Sequence, residues 1–590
     1  MDISARPVSV NAAREPGQAQ LDADVAALRE HADAWPRLGF AGKTRHLAAM
    51  RARTVETADE WVALAARAKG IAGTPLAGEE WLSGPYALLI ALDRLIAAVG
   101  DVARSGSPEL PGSVRSRNPS TGSGQPQVAV DVFPVETSDK LLLSGVRAEV
   151  WIEPGITRET LAEHTASGLR DVTRHGCVTL VLGAGNIASI PPLDALTVLY
   201  THGSVVMLKL NTVNAYLAPI FTRIFASLIE DGFVRITEGG AAIGEFLCAH
   251  SAVDAIHLTG GERTYDAIVF GTGADAAVRK AEQRPLLDKP ITSELGNVTP
   301  VIVVPGPWSE PDLLFQAQHV ATMKLHNAGA NCIAAQVLVT ATSWDLGPRF
   351  LDRVREALAG APARPSYYPG SLERQSSISA KHAHVETIGA PGDGDPRTFV
   401  PGLDPENRAE PLFRTEVFGP VLAQTGLPGD DAATFLRHAV TFCNDVLAGT
   451  LGAAILIHPR TIVQLGTAFD DALAALRYGS ITINTWPGVA FLLPTASWGA
   501  FPGNTIADAG SGVGIVHNAL QFDRPQKTIV RAPFAPFPRS LGDGERTLLP
   551  VPPWFVNHRR AATVGRRLFA FAAKPSPLRL AATALAAMRS

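Results

Sequence analysis

From Cys177 onward, short apolar runs rich in β-branched residues alternate with amphipathic helical stretches. No other feature limits the fold as strongly. Val178–Leu182 reads as a buried strand, and a helix over residues 193–200 follows it. Residues 204–210, Val234–Thr237 and residues 255–258 read as further strands, with a helix over 216–229 between the first two. A second series is expected from about Ile291. Its strands fall at 301–304, 336–340, 453–457 and Ser480–Ile483, and its helical stretches at 313–323 and 344–358. Strands apolar on both faces, each followed by a helix, predict parallel sheets covered on both sides. A chain of 590 residues exceeds what one simple core encloses. The expectation is an α/β protein of two units that meet near residue 290.

The flanking regions differ from this middle. Leu88, Leu92, Leu95, Ile96 and Val99 lie on one face of a helix, and the first hundred or so residues read as helical. Residues 105–127, rich in Ser, Pro, Gly and Asn, read as a surface connection, and strand-like runs follow at 128–133 and 148–153. The first 17 residues are polar and do not resemble a secretory leader. The longest apolar candidate, 86–99, contains Asp93 and Arg94 and is too short to span a bilayer. Net charge is −4, which does not call for a nucleic-acid partner. Four separated cysteines, none in C-x-x-C spacing, read as reduced thiols of a cytoplasmic protein rather than as a zinc site or a disulfide framework. Residues 546–590 hold seven Arg, one Lys and no acid, a formal +8 that leaves −12 on the remainder. Two uses fit this tail: weak contact with an anionic membrane surface, or packing on the chain's own acidic surface.

Several residues carry chemistry. Cys332 ends the small-residue loop Asn327-Ala-Gly-Ala-Asn-Cys332 before an apolar run. There a thiol can be exposed at a loop end, and a backbone dipole or a cation can lower its pKa. The plain alternative is an inert buried cysteine. Glu294, in Thr292-Ser-Glu-Leu-Gly-Asn297, follows a strand; an apolar setting there raises a carboxyl toward the range of a general base. Asn186, in Gly183-Ala-Gly-Asn186, can donate its side-chain amide to an oxyanion or simply serve a turn. Gly183-Ala-Gly185 is only part of a dinucleotide fingerprint, because Ala188 stands where the third glycine belongs. Lys209 ends a strand at the edge where ligands of parallel sheets bind. Glu416 opens the turn Glu416-Val-Phe-Gly-Pro420. Trp486, Phe491 and Trp498 are candidates for an apolar mouth, with core packing the plainer use.

Taken in order, Asn186, Val205-Val-Met-Leu-Lys209, Leu258-Thr-Gly260, Glu294-Leu-Gly296, Asn327–Cys332 and Glu416–Pro420 resemble the aldehyde dehydrogenase superfamily over roughly residues 140–520. The resemblance implies a Rossmann-type cofactor domain plus an α/β catalytic domain, with a helical N-terminal region. It assigns residues 1–290 to the helical region and the dinucleotide domain, and 291–485 to the nucleophile domain. Residues 486–545 become a return and oligomerisation segment, and 546–590 a basic extension. It further implies NAD or NADP as cofactor, a small aldehyde as substrate and a homo-oligomer, with strands near 128–153 as candidate pairing elements.

By the same resemblance Cys332 attacks the aldehyde, Asn186 and the Cys332 backbone N–H stabilise the oxyanion, and Glu294 activates water. Lys209 would hold the adenine ribose and Glu416 the nicotinamide ribose, with Gly260, Gly261 and Phe418 beside the cofactor. This sequence departs from the family pattern in places. Thr212 replaces the usual acid three residues after the lysine, which leaves NAD against NADP open, and Asn297-Val298 and Ala330-Asn331 also differ. Transfer of the acyl group to coenzyme A, or a binding protein on the same fold, remain the alternatives to hydrolysis.

Overall fold

The strand Val178–Leu182 is buried along its whole length, as its apolar run requires. In a computed structural model describing residues 16–117, 125–389 and 394–589, it lies inside a six-stranded sheet. The order across that sheet is Gly512–Val513, Ile291–Glu294, Ala255–Thr259, Val178–Leu182, Val205–Lys209 and Val234–Thr237. The last five are mutually parallel, and Gly512–Val513 is antiparallel to Ile291–Glu294. The chain runs outward from Val178–Leu182 in one direction and then returns to build the other side. Such a reversal opens a crevice at the carboxyl ends of the strands, where ligands settle. Asn186, Lys209 and Gly260 all follow or end strands at this edge.

A larger sheet has eleven strands. Its order is Val114–Arg117, Gln127–Phe133, Arg147–Ile152, Pro525–Arg531, Ser480–Ile483, Gly452–Leu456, Thr299–Val303, Ala335–Ala341, Val421–Leu427, Arg397–Leu403 and Glu386–Ile388. The seven from Pro525–Arg531 to Arg397–Leu403 are parallel; the flanking ones are antiparallel. A two-stranded ribbon, Trp498–Gly499 with Ile515–His517, is separate from both sheets.

The sheets do not divide at residue 290. Ile291–Glu294, expected to open the second series, pairs with Ala255–Thr259 in the first sheet, and the chain enters the second at Thr299. The two strands expected near 128–153 belong to the second sheet. Gln127–Phe133 is paired on both sides, by Val114–Arg117 and Arg147–Ile152, so neither of its edges is open. The helix expected over 216–229 is interrupted: a 3-10 turn, Thr212–Leu217, leads into Ala218–Ile224 and Ala226–Glu230, with Phe225 off helical geometry at their junction. The opening residues expected to lack a leader lie outside the described residues up to position 15, as do residues 118–124 of the polar connection.

Helices Gln18–His31, Phe40–Ala68 and Ala87–Ser105 cover the smaller sheet. Leu88, Leu92, Leu95 and Val99 are buried as the spacing predicts and share one core with Trp35, Val206 and Phe221. No described helix is long and apolar enough to cross a membrane.

The basic extension forms helices Ala561–Ala573 and Pro577–Ala587. Phe569 packs on Trp81, with ring centroids 5.5 Å apart, and Arg566 pairs with Asp59. Arg579 donates to the Ala570 carbonyl at 2.8 Å and Arg567 to Ala582 at 2.7 Å, so several tail cations bind carbonyls and acids of the chain itself. The seam depends on close approach. A Cβ on Gly78 would lie 2.4 Å from the Ala561 carbonyl carbon, a backbone atom that cannot swing aside. Gly78→Ala is therefore expected to destabilise the protein by about 1–3 kcal/mol. Urea unfolding measures the loss, and limited proteolysis is expected to cut the extension first.

Candidate active site around Cys332

The residues before Cys332 make an unusual backbone. Asn327, Ala328 and Gly329 all have left-handed φ, at 55°, 58° and 75°. Asn tolerates this region, whereas for Ala328 it is a strained conformation that the surroundings must hold. At Gly329 a Cβ would lie 2.6 Å from the Gly419 carbonyl, so the Cys332 loop touches the Glu416-Val-Phe-Gly-Pro turn directly. Lys324, 1% exposed, ties the same two segments by donating to the Gly419 carbonyl at 3.0 Å.

Asn327 is the hub of the turn. Its backbone N–H donates to Glu79 at 2.9 Å. Its amide donates to the carbonyls of Asn186 and Ala330 and accepts from Lys69 and Tyr367, each at 2.9–3.0 Å. Lys69 also donates to Glu80 at 2.7 Å and to the Asn186 carbonyl at 3.0 Å. Arg364 pairs with Glu79 at 2.8 Å. Burial opposes ionisation of Glu79, but Arg364 beside it holds its carboxyl below the usual range.

Cys332 itself is partly exposed. Its thiol donates to Glu294 Oε1 at 2.9 Å, and Glu294 Oε2 accepts the Trp498 indole N–H at 2.9 Å. Glu294 is 1% exposed, and burial raises its carboxyl above the ordinary value. The thiol is also pushed up, well above its usual range, first by burial and then by the Glu294 charge. This reverses the expectation of a lowered thiol pKa. The group beside Cys332 is a carboxylate, which opposes a thiolate and can accept the thiol proton.

The structure brings Asn186 to the same loop, though its amide donates to the Ala330 carbonyl at 3.0 Å. An amide carries two N–H bonds, so this contact uses one of them. Glu416 lies against Glu294-Leu-Gly296: a Cβ on Gly296 would come within 2.3 Å of its carboxylate, and the Asn297 N–H reaches it at 3.4 Å. Burial raises Glu416 to about 7 and lowers Lys324 to about 7. Phe418 has a left-handed φ of 51° and packs edge-on to Tyr368 at 4.8 Å. Lys209 ends its strand at the crevice. Gly260 donates its N–H to the Glu294 carbonyl, and Gly261 caps the helix Glu262–Val269 with open space where a Cβ would stand. Trp486 and Trp498, candidates for an apolar mouth, are 5% and 2% exposed. Trp498 contributes a hydrogen bond to the base instead.

Sequence reasoning missed Lys69, Glu79, Glu80, Tyr367 and Arg364. A signal was present: two consecutive acids precede the apolar run Trp81-Leu82, where an amphipathic helix offers no solvent face for both.

Comparison with known proteins agrees with this geometry. The model of the aldehyde dehydrogenase family matches residues 178–495, and the chain belongs to that family. A succinate-semialdehyde dehydrogenase [NADP(+)] of Deinococcus radiodurans is 30% identical over 216 residues, 34% of this chain and 41% of that protein. An aminoacetaldehyde dehydrogenase of Pseudomonas aeruginosa is 26% identical over 269 residues, 43% of this chain and 48% of that protein. The chain thus spans less than half the length of these two relatives. Among solved structures, a Mycobacterium tuberculosis aldehyde dehydrogenase in complex with NAD+ has a TM-score of 0.57 at 18% identity, covering 88% of this chain and 91% of that one. A Pseudomonas syringae enzyme with NAD+ and octanal gives 0.56 at 17% identity, covering 88% and 90%. At these identities the structures show a shared fold.

Glu416 supplies a test of the buried site. With its carboxyl raised to about 7 from 4.5, the native state holds a proton that the unfolded chain has already lost between those pH values. Stability from this group is present at low pH and is lost as pH rises through 7. The stability of wild type minus that of Glu416→Gln is expected to fall across this window and level off above it, as read from urea unfolding at a series of pH values. A pH-independent difference would place Glu416 in solvent.

Proposed function

We propose that this chain oxidises an aldehyde to a carboxylic acid with NAD or NADP, using Cys332 as nucleophile. One observation carries this reading: the Cys332 thiol donates to the buried carboxylate of Glu294 at 2.9 Å. That pair can do both halves of the reaction. As the sulfur attacks the carbonyl carbon, Glu294 takes the thiol proton, and the carbonyl oxygen gains negative charge. The second N–H of Asn186 and the backbone N–H of Cys332 stabilise that oxygen, an effect of about 3 kcal/mol per preorganised donor. NAD or NADP, when bound, takes up the hydride that this alkoxide expels. Once Glu294 has released the thiol proton, water attacks the thioester left on Cys332 and passes its proton to Glu294; the carbon–sulfur bond breaks, the acid leaves, and the sulfur takes that proton back.

The six-stranded sheet would hold the cofactor. Its switch-point crevice, the cation at Lys209 and the open approach at Gly261 before a helix N-terminus suit a dinucleotide. Glu416 would bind the nicotinamide ribose beside Phe418. Thr212 stands exposed past Lys209 and places no negative charge against a 2′-phosphate. Thr212→Glu is expected to shift preference from NADP toward NAD by roughly tenfold or more, because like charges in contact are costly.

The defining test is reduced-cofactor formation, followed by absorbance, over a panel of aliphatic and aromatic aldehydes. Cys332→Ala is expected to abolish it. Glu294→Gln is expected to slow both acyl-enzyme formation and its release, each by about 100-fold or more, as read by mass spectrometry of quenched reactions. Turnover by wild type only when coenzyme A is added would instead assign the chain to acyl transfer. A wild type that forms no acyl-enzyme with either acceptor would leave only a binding role.

A further inference from the structure

A fully buried carboxylate unused by this chemistry lies next to the site. Asp194, in the helix Ile190–Tyr200, is 0% exposed. Its Oδ2 accepts the Thr259 hydroxyl at 2.9 Å, and its Oδ1 lies 3.1 Å from His517 Nε2. His257 Nε2 stands 3.7 Å from Oδ2. Burial opposes its charge, but His257 and His517 hold the Asp194 carboxyl below the usual range.

Strand register connects this group to Glu294 by two routes. Thr259 is the direct neighbour of Glu294 in the parallel pair. Trp498, which donates to Glu294, is paired with His517 across the ribbon. Directly opposed residues in an antiparallel pair face the same side. The Phe491 ring packs on both, 5.4 Å from Trp498 and 5.2 Å from His517. With Nε2–H committed to Asp194, the imidazole keeps its lone pair on Nδ1. That atom is buried and, among the described residues, has no hydrogen-bond partner.

We propose that His517, oriented by Asp194, accepts the thiol proton from Glu294 and so resets it for thioester hydrolysis. This rests on the hydrolytic reading above and adds to it. Attack by the thiol leaves its proton on Glu294, which in that neutral form cannot deprotonate the water that must attack the thioester. The neutral, buried Glu294 then passes its proton, through water, to the Nδ1 lone pair of His517. Asp194 stabilises the resulting imidazolium through Nε2–H. His517, 11% exposed at its side chain, gives the proton to solvent. Water then bonds to the thioester carbon, its proton goes to the freed Glu294, the carbon–sulfur bond breaks to release the acid, and the Cys332 thiolate takes the proton back from Glu294. The other titratable groups around this path are Cys332 and Glu416 on the nucleophile side, and His257 on the strand beneath.

The test needs no cofactor. A 4-nitrophenyl ester acylates Cys332 and releases nitrophenolate in a burst, and the steady rate that follows reports thioester hydrolysis. His517→Ala is expected to keep the burst, slow the steady phase by about 100-fold, and alter its pH profile. Added imidazole is expected to restore the rate, which a purely structural defect would not allow. Asp194→Asn, closer in shape, is expected to give a smaller loss with the same change in pH profile. Unchanged steady rates in both variants, or loss without imidazole rescue in variants whose melting matches wild type, would overturn the proposal. A wild type without a burst overturns the hydrolytic reading and this proposal with it, whereas a wild-type burst with indifferent variants overturns this proposal alone.

Discussion

Everything at the candidate site hangs on the side chain of Asn327. Three consecutive left-handed residues do not persist by local preference. They persist because Asn327 is bonded to Lys69 at the end of the helix Phe40–Ala68, to Glu79 of the short helix Ala77–Trp81, to the Asn186 loop and to Tyr367. Lys69 and Glu79 are buried ions, and buried pairs add little net stability once desolvation is counted. What they provide is one geometry. Removing Lys69 would leave Glu80 charged and unpaired in the interior, so the cysteine turn, the asparagine turn and the helix end move together or not at all.

The same dryness explains the electrostatics. Cys332, Glu294, Glu416 and Lys324 are all displaced toward their neutral forms. In such a medium a proton moves between partners more readily than a charge forms alone. A thiol resting on a carboxylate then keeps its proton, with an acceptor already in contact. The glycines at 296 and 329 are what let the Glu294, Cys332 and Glu416 segments press together this closely.

The parallel core was legible because its strands are apolar on both faces and bounded by helices. Val178–Leu182, Val234–Thr237 and Ser480–Ile483 fall where the periodicity places them. Which sheet a strand joins was not legible: Ile291–Glu294 looks like any buried strand, and its partner is fixed by tertiary contacts that local pattern does not encode. Strands Arg397–Leu403 and Val421–Leu427 were missed because Pro401 and Gly402 interrupt the first, and Gln424 and Gly426 break the apolar run of the second. At the site, Cys332 and Glu294 were legible as residues and their contact was not. The direction of the cysteine shift ran opposite to expectation, because a loop-end thiol was read without its burial or its acidic neighbour. The tail's charge was visible, but not that helix carbonyls and surface acids occupy it.

The position of Pro525–Arg531 in the larger sheet bears on how the molecule assembles. It lies between Arg147–Ile152 and Ser480–Ile483, so two parts of the chain more than 300 residues apart in sequence are joined by a strand made after both. During synthesis the sheet has a gap in its middle until this strand emerges, with unpaired backbone on either side. Sheets closed by such distant contacts form slowly and expose sticky edges while they wait. The loop of Cys332 and the strand of Glu294 are made before it, but the framework that holds them is completed only once residues 525–531 have emerged.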